Sequence, residues 1–396
     1  MDLKIAGGRI YFWPPDFSRL MYIYGIQPTM KKYLSIICLL LITAIALGQE
    51  RQPTELEIDY YYGSILEHNP DISHLITDHP SGFALSYNRK TFGAREAERR
   101  YNYPDWGFTL SYQDFQNDVL GSNYGLYAHM NFYFLNRHLV FKVAQGIAYA
   151  DSPYDPETNY LNNAFGSEIL SSTYMKLNYV HENIWEGLGL HAGISLVHYS
   201  NANFRSPNTS VNTFAFNLGA RYVFDHENIP SYIETTDPPS KSHAEPFKFN
   251  LAFRFGWNES DVVGSGQFPF YVVSGFVDKR INYKSVLQAG VDYFDAKFLE
   301  EFIRYRSIAF PEDDIDGSED YRRVGVFIGH ELRFYKTAFV AQLGYYVYWP
   351  YEFENRVYNR LGIKRYFYKD KIFATISVKS HWAKAEGVEF GVGVRL

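Results

Sequence analysis

Cysteine is almost absent from this 396-residue chain: Cys38 is the only one. It lies inside an apolar run, and Ile36-Ile37 precede it where a lipoprotein attachment site wants a small residue. Without a second thiol, no disulfide and no thiolate metal site is expected. Charge of one sign is equally scarce. The net charge is −6 with no run of Lys or Arg, which argues against a nucleic-acid surface. No phosphate-cradling glycine loop and no metal-ligand spacing occurs, so neither cofactor nor metal is expected. Long apolar stretches are missing too, with one exception. Lys31 and Lys32 lead into the apolar segment Leu34 to Leu47, and Ala46-Leu47-Gly48 offers small residues before Gln49. That is the layout of a secretory signal peptide over 30–48, too short to be a comfortable transmembrane helix. Signal peptides sit at the N-terminus, so Met30 is read as the initiator and residues 1–29 as an extension ahead of it.

What the chain has in excess is aromatic side chains. They make up 18% of residues, with 35 Tyr and 32 Phe, yet mean hydropathy is slightly negative. The two facts are reconciled by period-two alternation. Phe247, Phe249, Leu251, Phe253, Phe255 and Trp257 share one face of a strand, while Lys248, Asn250, Ala252, Arg254 and Gly256 share the other. Phe339 to Trp349 and Val324 to Phe334 repeat the theme. Such apolar faces are too many and too aromatic for the core of a soluble sandwich. An all-β transmembrane antiparallel β-barrel, with lipid outside and a polar lumen, accounts for both faces.

The mature chain, 49–396, carries about sixteen candidate strands: near 56–66, 81–90, 105–113, 122–134, 139–149, 171–181, 189–200, 212–224, 247–257, 268–277, 285–296, 322–334, 338–349, 357–368, 372–382 and 387–396. Links after the fourth, twelfth and fourteenth are very short, as periplasmic turns are. Those after the first, fifth and eleventh are long and polar, as extracellular loops are. The link 225–246, with Pro230, Pro238, Pro239 and Pro246, is long where a turn is expected. It either forms an unusual turn in one barrel, the preferred arrangement, or separates two eight-stranded units, 56–224 and 247–396. The last strand ends amphipathically on Leu396, much like the terminal signal read by the barrel-assembly machinery.

The segment Val197-His198-Tyr199-Ser200-Asn201-Ala202-Asn203 places a base and a hydroxyl two residues apart on a strand. Residues i and i+2 share a face. Here the shared face is the apolar one, continuing Leu190, Ala192, Ile194 and Leu196. On the next strand Asn212 shares parity with Phe214, Phe216, Leu218, Ala220, Tyr222 and Phe224. His198, Ser200 and Asn212 are therefore expected on one lipid-facing side, near one extracellular end. A gap of roughly 6.6 Å along the strand is one that imidazole and serine side chains can bridge.

The run His198-Tyr-Ser-Asn-Ala, the pair Pro207-Asn208 and the amphipathic strand that follows resemble the lipid A 3-O-deacylase (PagL-like, acyloxyacyl hydrolase-like) family. The likeness is specific over about 197–224 and looser around Asn162-Asn163-Ala164-Phe165-Gly166-Ser167. It implies an outer-membrane barrel that hydrolyses an ester-linked acyl chain of lipid A, with Ser200 as nucleophile, His198 as general base and Asn208 in an oxyanion-stabilising role beside Asn201. The family pattern has a glutamate where this chain has Asn212. An asparagine can still fix the imidazole tautomer but supplies no charge. The partners implied are lipopolysaccharide, the outer membrane of a Gram-negative bacterium and, as one option, a second copy in a homodimer. The rival reading is a non-catalytic barrel, a pore or a lipid-binding or assembly protein with a degenerate site; an acyltransferase is a third. Weaker features are a second His-x-Ser at His79-Pro80-Ser81, a lumenal pair His381 and Glu389, and the acidic loop with Asp313, Asp314, Asp316 and Glu319.

Overall fold

The computed structural model describes residues 52–234, 245–382 and 384–396. The extension 1–29, the signal peptide 30–48, Cys38 and the middle of the link 225–246 lie outside them. The first eight strands are β1 (Thr54–Ile65), β2 (Ser81–Arg89), β3 (Asp105–Asp114), β4 (Ser122–Phe134), β5 (Leu139–Ala150), β6 (Ile169–Trp185), β7 (Leu188–Ser200) and β8 (Val211–Val223). The second eight are β9 (Lys248–Glu259), β10 (Gln267–Arg280), β11 (Ser285–Ala296), β12 (Arg323–Phe334), β13 (Thr337–Tyr348), β14 (Val357–Phe367), β15 (Ile372–His381) and β16 (Lys384–Arg395). Each coincides with a candidate strand of the sequence, with ends differing by about four residues at most. Two helices are short insertions: α1 (Glu96–Arg100) follows β2 and α2 (Lys297–Ala309) follows β11.

Closure differs from the preferred expectation. All pairings are antiparallel neighbours, but β8 returns to β1, with Ile58 opposite Ala220, and β16 returns to β9, with Val392 opposite Phe253. The strands thus form two barrels of eight instead of one of sixteen. Alternation fixes which face a side chain takes, but it carries no mark of where a sheet closes on itself. Eight strands enclose a space that side chains can fill, and both lumens are filled with ion pairs. In the first, Glu57 meets Lys142 and Arg221 at 2.7 Å each, and Asp59 meets Lys176 and His191 at 2.7 Å each. In the second, Arg360 meets Asp292 at 2.8 Å and Glu389 at 2.5 Å, Lys364 meets Glu331 at 2.7 Å, and Arg395 meets Asp278 at 2.7 Å. A cavity of about 20 Å³ beside Arg254, Gln288, Gln342 and Arg360 has room for roughly one water. The outward faces are apolar: Phe216, Leu218 and Phe249 are at least 65% exposed.

The lumenal pair His381 and Glu389 does not form. Lys379 pairs with Gly387 and Ser380 with Ala385, so the register slips past Glu386. His381 then lies 3.5 Å from Glu386, while Glu389 is taken by Arg360 and Ser377. The unbroken register already sets Glu389 opposite Ser377, further along the strand from His381, and the one-residue bulge turns Glu386 inward to His381 instead.

The barrels touch at both rims. At the rim where α1 lies, the Tyr101 hydroxyl donates to the Arg333 carbonyl at 2.6 Å, and the Arg100 guanidinium sits 3.9 Å above the Tyr283 ring. There the link packs Tyr232 against Phe92 and Tyr103. At the opposite rim, which carries the long loops, the segment after β7 meets the end of β9.

Candidate active site

Antiparallel pairing of β7 with β8 sets His198 directly opposite Asn212. Even-numbered residues of both strands face outward: Leu190, Ile194, Phe216 and Leu218 are exposed, whereas Val197, Tyr199 and Thr213 are buried in the lumen. His198 and Asn212 are half-buried on the outward side. His198 Nδ1 lies 2.7 Å from Asn212 Oδ1. With the amide oxygen accepting, the imidazole proton is on Nδ1, and Nε2 presents its lone pair. The Asn212 main chain is tied down in turn, its carbonyl accepting from Leu66 N–H at 2.8 Å.

Ser200 has the same outward parity but is only 4% exposed, because the chain beyond β7 turns back against it. Ala202 and Asn203 adopt φ of 52° and 63°, the left-handed region. This reversal brings Asn208 to the end of β7. The Ser200 hydroxyl donates to Asn208 Oδ1 at 3.1 Å and accepts from Ala202 N–H at 2.9 Å. Asn201 N–H also donates to Asn208 Oδ1, at 2.9 Å. Two donors on one atom identify it as the amide oxygen, so the Asn208 NH₂ group remains as a donor. Asn201 is a brace: its side-chain amide donates to the Arg205 carbonyl at 2.5 Å.

The expected contact of Ser200 with His198 is not formed, since the hydroxyl is engaged by Asn208. The two groups share a face and an end of the strand, but closing the pair requires Ser200 to turn its O–H from Asn208 Oδ1 toward His198 Nε2. Such contacts often tighten only once substrate is bound.

The loop between β5 and β6 backs this site. Thr209 N–H and hydroxyl both donate to the Asn163 carbonyl, at 3.1 and 2.9 Å. Asn162 Oδ1 accepts from the N–H groups of Ala164 and Phe165 at 3.1 Å each. A side chain at Gly166 would strike the Arg205 and Pro207 carbonyls at 2.5 and 2.6 Å, so only glycine lets the two loops meet. Asp155 closes an earlier turn of the same loop. The backbone N–H groups of Thr158 and Glu157 hold its carboxyl below the usual range.

Other features of the sequence lie elsewhere. His79 meets Ser64 at 3.0 Å, not Ser81, and its Nδ1 is equally close to the Gly63 carbonyl. Asp313 pairs with Arg306, and Asp316 and Glu319 bond within their own loop. Glu57, Asp59 and His191 present ligand atoms within 4.8 Å of one another. Lys142, Lys176 and Arg221 already neutralise those oxygens. Sequence reasoning missed two sets of neighbours. Thr173, opposite His198, donates to Gln145 at 2.6 Å on the outward face. Glu259, at the end of β9, holds the loop after β7; an acidic residue beyond an apolar strand gave no signal of that role.

Two family models match the chain: "Lipid A 3-O-deacylase (PagL)" over residues 81–221 and "Acyloxyacyl hydrolase, C-terminal domain" over residues 247–396. No curated protein matches. Among solved structures, one titled "Asymmetric conductivity of engineered proteins" is 11% identical, covering 87% of this chain and 99% of that chain with a TM-score of 0.19. Two mutants of the Rhodopseudomonas blastica porin are 10% identical with the same coverage and TM-score. At that TM-score these likenesses bear on neither closure nor function.

Proposed function

The chain belongs to the lipid A 3-O-deacylase (PagL) family of outer-membrane β-barrels, and from that premise we propose that it hydrolyses the ester-linked acyl chain at position 3 of lipid A by a Ser200–His198 mechanism on the outward wall of the first barrel. The observation that carries this reading is the 2.7 Å contact of His198 Nδ1 with Asn212. It leaves a basic Nε2 on the face that Ser200 shares.

An ester needs an activated hydroxyl and a donor for the oxyanion. Ser200 Oγ adds to the ester carbonyl carbon as its proton passes to His198 Nε2. The carbonyl oxygen, now negative, is held by the Asn208 NH₂ group. Collapse expels the sugar hydroxyl, which takes the proton from the imidazolium, and leaves an acyl-serine. Water attacks that ester with His198 again as base, releasing a fatty acid and restoring Ser200. Asn212 keeps the ring oriented throughout. The outward apolar strip of Ile194, Leu196, Phe214 and Phe216 suits acyl chains. With the long-loop rim taken as extracellular, the site lies in the leaflet where lipopolysaccharide resides.

Mass spectrometry of lipid A from cells expressing the protein tests this. Wild type is expected to remove one acyl chain and Ser200→Ala none. Identical acylation patterns would overturn the reading in favour of a non-catalytic barrel, and a gain in mass would mark an acyltransferase.

A further inference from the structure

We propose that the second barrel positions the active-site loop of the first, with Glu259 as the positioning residue; this rests on the deacylase reading above. Loop 201–210 holds Asn208 against Ser200, and it does so through an unfavourable backbone. Ala202, Asn203 and Ser210 all have positive φ. Non-glycine residues held this way are strained and persist only where their surroundings over-determine them. The β5–β6 loop supports the far end of this segment, at Arg205 to Thr209. At the near end, where the chain reverses, the support comes from the other barrel.

Asn203 is gripped on both sides by one residue. Its carbonyl accepts from Glu259 N–H at 3.0 Å, and its side-chain amide donates to the Glu259 carbonyl at 3.1 Å. The Glu259 carboxylate accepts from Ser206 N–H at 2.8 Å and from Gly266 N–H at 3.2 Å. The Ser206 hydroxyl donates to the Ser260 carbonyl, and Gln267 donates to the Phe204 carbonyl at 2.9 Å. Glu259 is 3% exposed and forms no ion pair among the described residues. A buried carboxylate without a cation is costly unless hydrogen bonds satisfy it. Here two main-chain amides do so, one from each barrel, which ties the loop to β9 through charge-assisted bonds. The loop is thus fixed at Asn203 and Ser206, on either side of the bend whose next residues are Pro207 and Asn208.

This role separates from mere barrel docking because the barrels also meet at the opposite rim. Arg100, stacked on Tyr283, is far from loop 201–210 in the fold and serves as a control.

The test is lipid A deacylation by the purified full-length protein, with kcat and KM measured separately and barrel closure checked by heat-modifiable gel mobility. Glu259→Ala is expected to lower kcat about ten- to a hundredfold with KM within about twofold, as for a misplaced catalytic group. Glu259→Gln keeps one acceptor and is expected to recover part of the loss. Asn203→Gly removes the one side-chain bond without uncovering a charge and suits the left-handed backbone there, and it is expected to lower kcat in the same direction; it decides the matter if Glu259→Ala does not close. Arg100→Ala is expected to keep the wild-type kcat. If Ser200→Ala abolishes turnover while the Glu259 and Asn203 variants match wild type, the positioning role is wrong. An equal loss in Arg100→Ala would also overturn it, by showing a general effect of docking. If Ser200→Ala leaves turnover intact, the deacylase reading itself fails, a distinct outcome.

Discussion

In the proposed mechanism, Asn212 sets how strongly His198 can act as a base. It accepts the Nδ1 proton at 2.7 Å but brings no negative charge to stabilise the imidazolium. Loss of the carboxylate from a serine triad can cost about four orders of magnitude, part of it through a wrong tautomer. The tautomer is kept here, so Asn212→Glu is expected to raise kcat by about tenfold or more, read as fatty acid released per enzyme. Asn208→Ala removes the proposed oxyanion donor together with the acceptor that holds Ser200, and a loss of about 10²–10³ in kcat is expected in the same assay. Strand parity made the shared face of His198, Ser200 and Asn212 legible in the sequence. The atom to which Ser200 donates was not, because it depends on the left-handed turn at Ala202 and Asn203. Nothing in the sequence reading marked an alanine as taking that conformation.

At the scale of the element, inward-facing residues of the strands are chosen for charge balance as much as for packing. Arg360 on β14 bridges Asp292 on β11 and Glu389 on β16, and all three side chains are buried. Arg360→Ala leaves the two carboxylates with Arg254 alone, 3.9 Å from Asp292 and 3.8 Å from Glu389, in a lumen with little room for water. Destabilisation of about 3–5 kcal/mol is expected, measurable as a lowered urea midpoint by tryptophan fluorescence of protein folded into lipid vesicles. All sixteen strands could be read from alternation, because a half-lipid, half-lumen environment writes period two into the chain. Pairing across the lumen could not. The slip at Lys379 and Ser380 is what turns Glu386 toward His381, and a bulge leaves no mark in the hydrophobic pattern.

Over the whole molecule, sixteen strands in two closed rings make a different object from one wide ring. A sixteen-stranded barrel of porin type leaves an aqueous channel, whereas eight strands are closed by their own side chains. Both lumens here are crossed by salt bridges, and the cavity beside Arg360 has room for roughly one water. The purified protein is therefore expected to give no conductance steps in planar lipid bilayers, and stepwise currents would contradict the packing of both lumens. The sequence left one ring or two undecided, because strand number alone does not say which edges meet. The outward parity of His198 and Ser200 has a kinetic corollary. Substrate would arrive sideways by lateral diffusion, never leaving the leaflet, so turnover would follow the mole fraction of lipid A around the wall and not its amount per volume of solution. Surface dilution by inert lipid would then govern how fast the protein works in a cell.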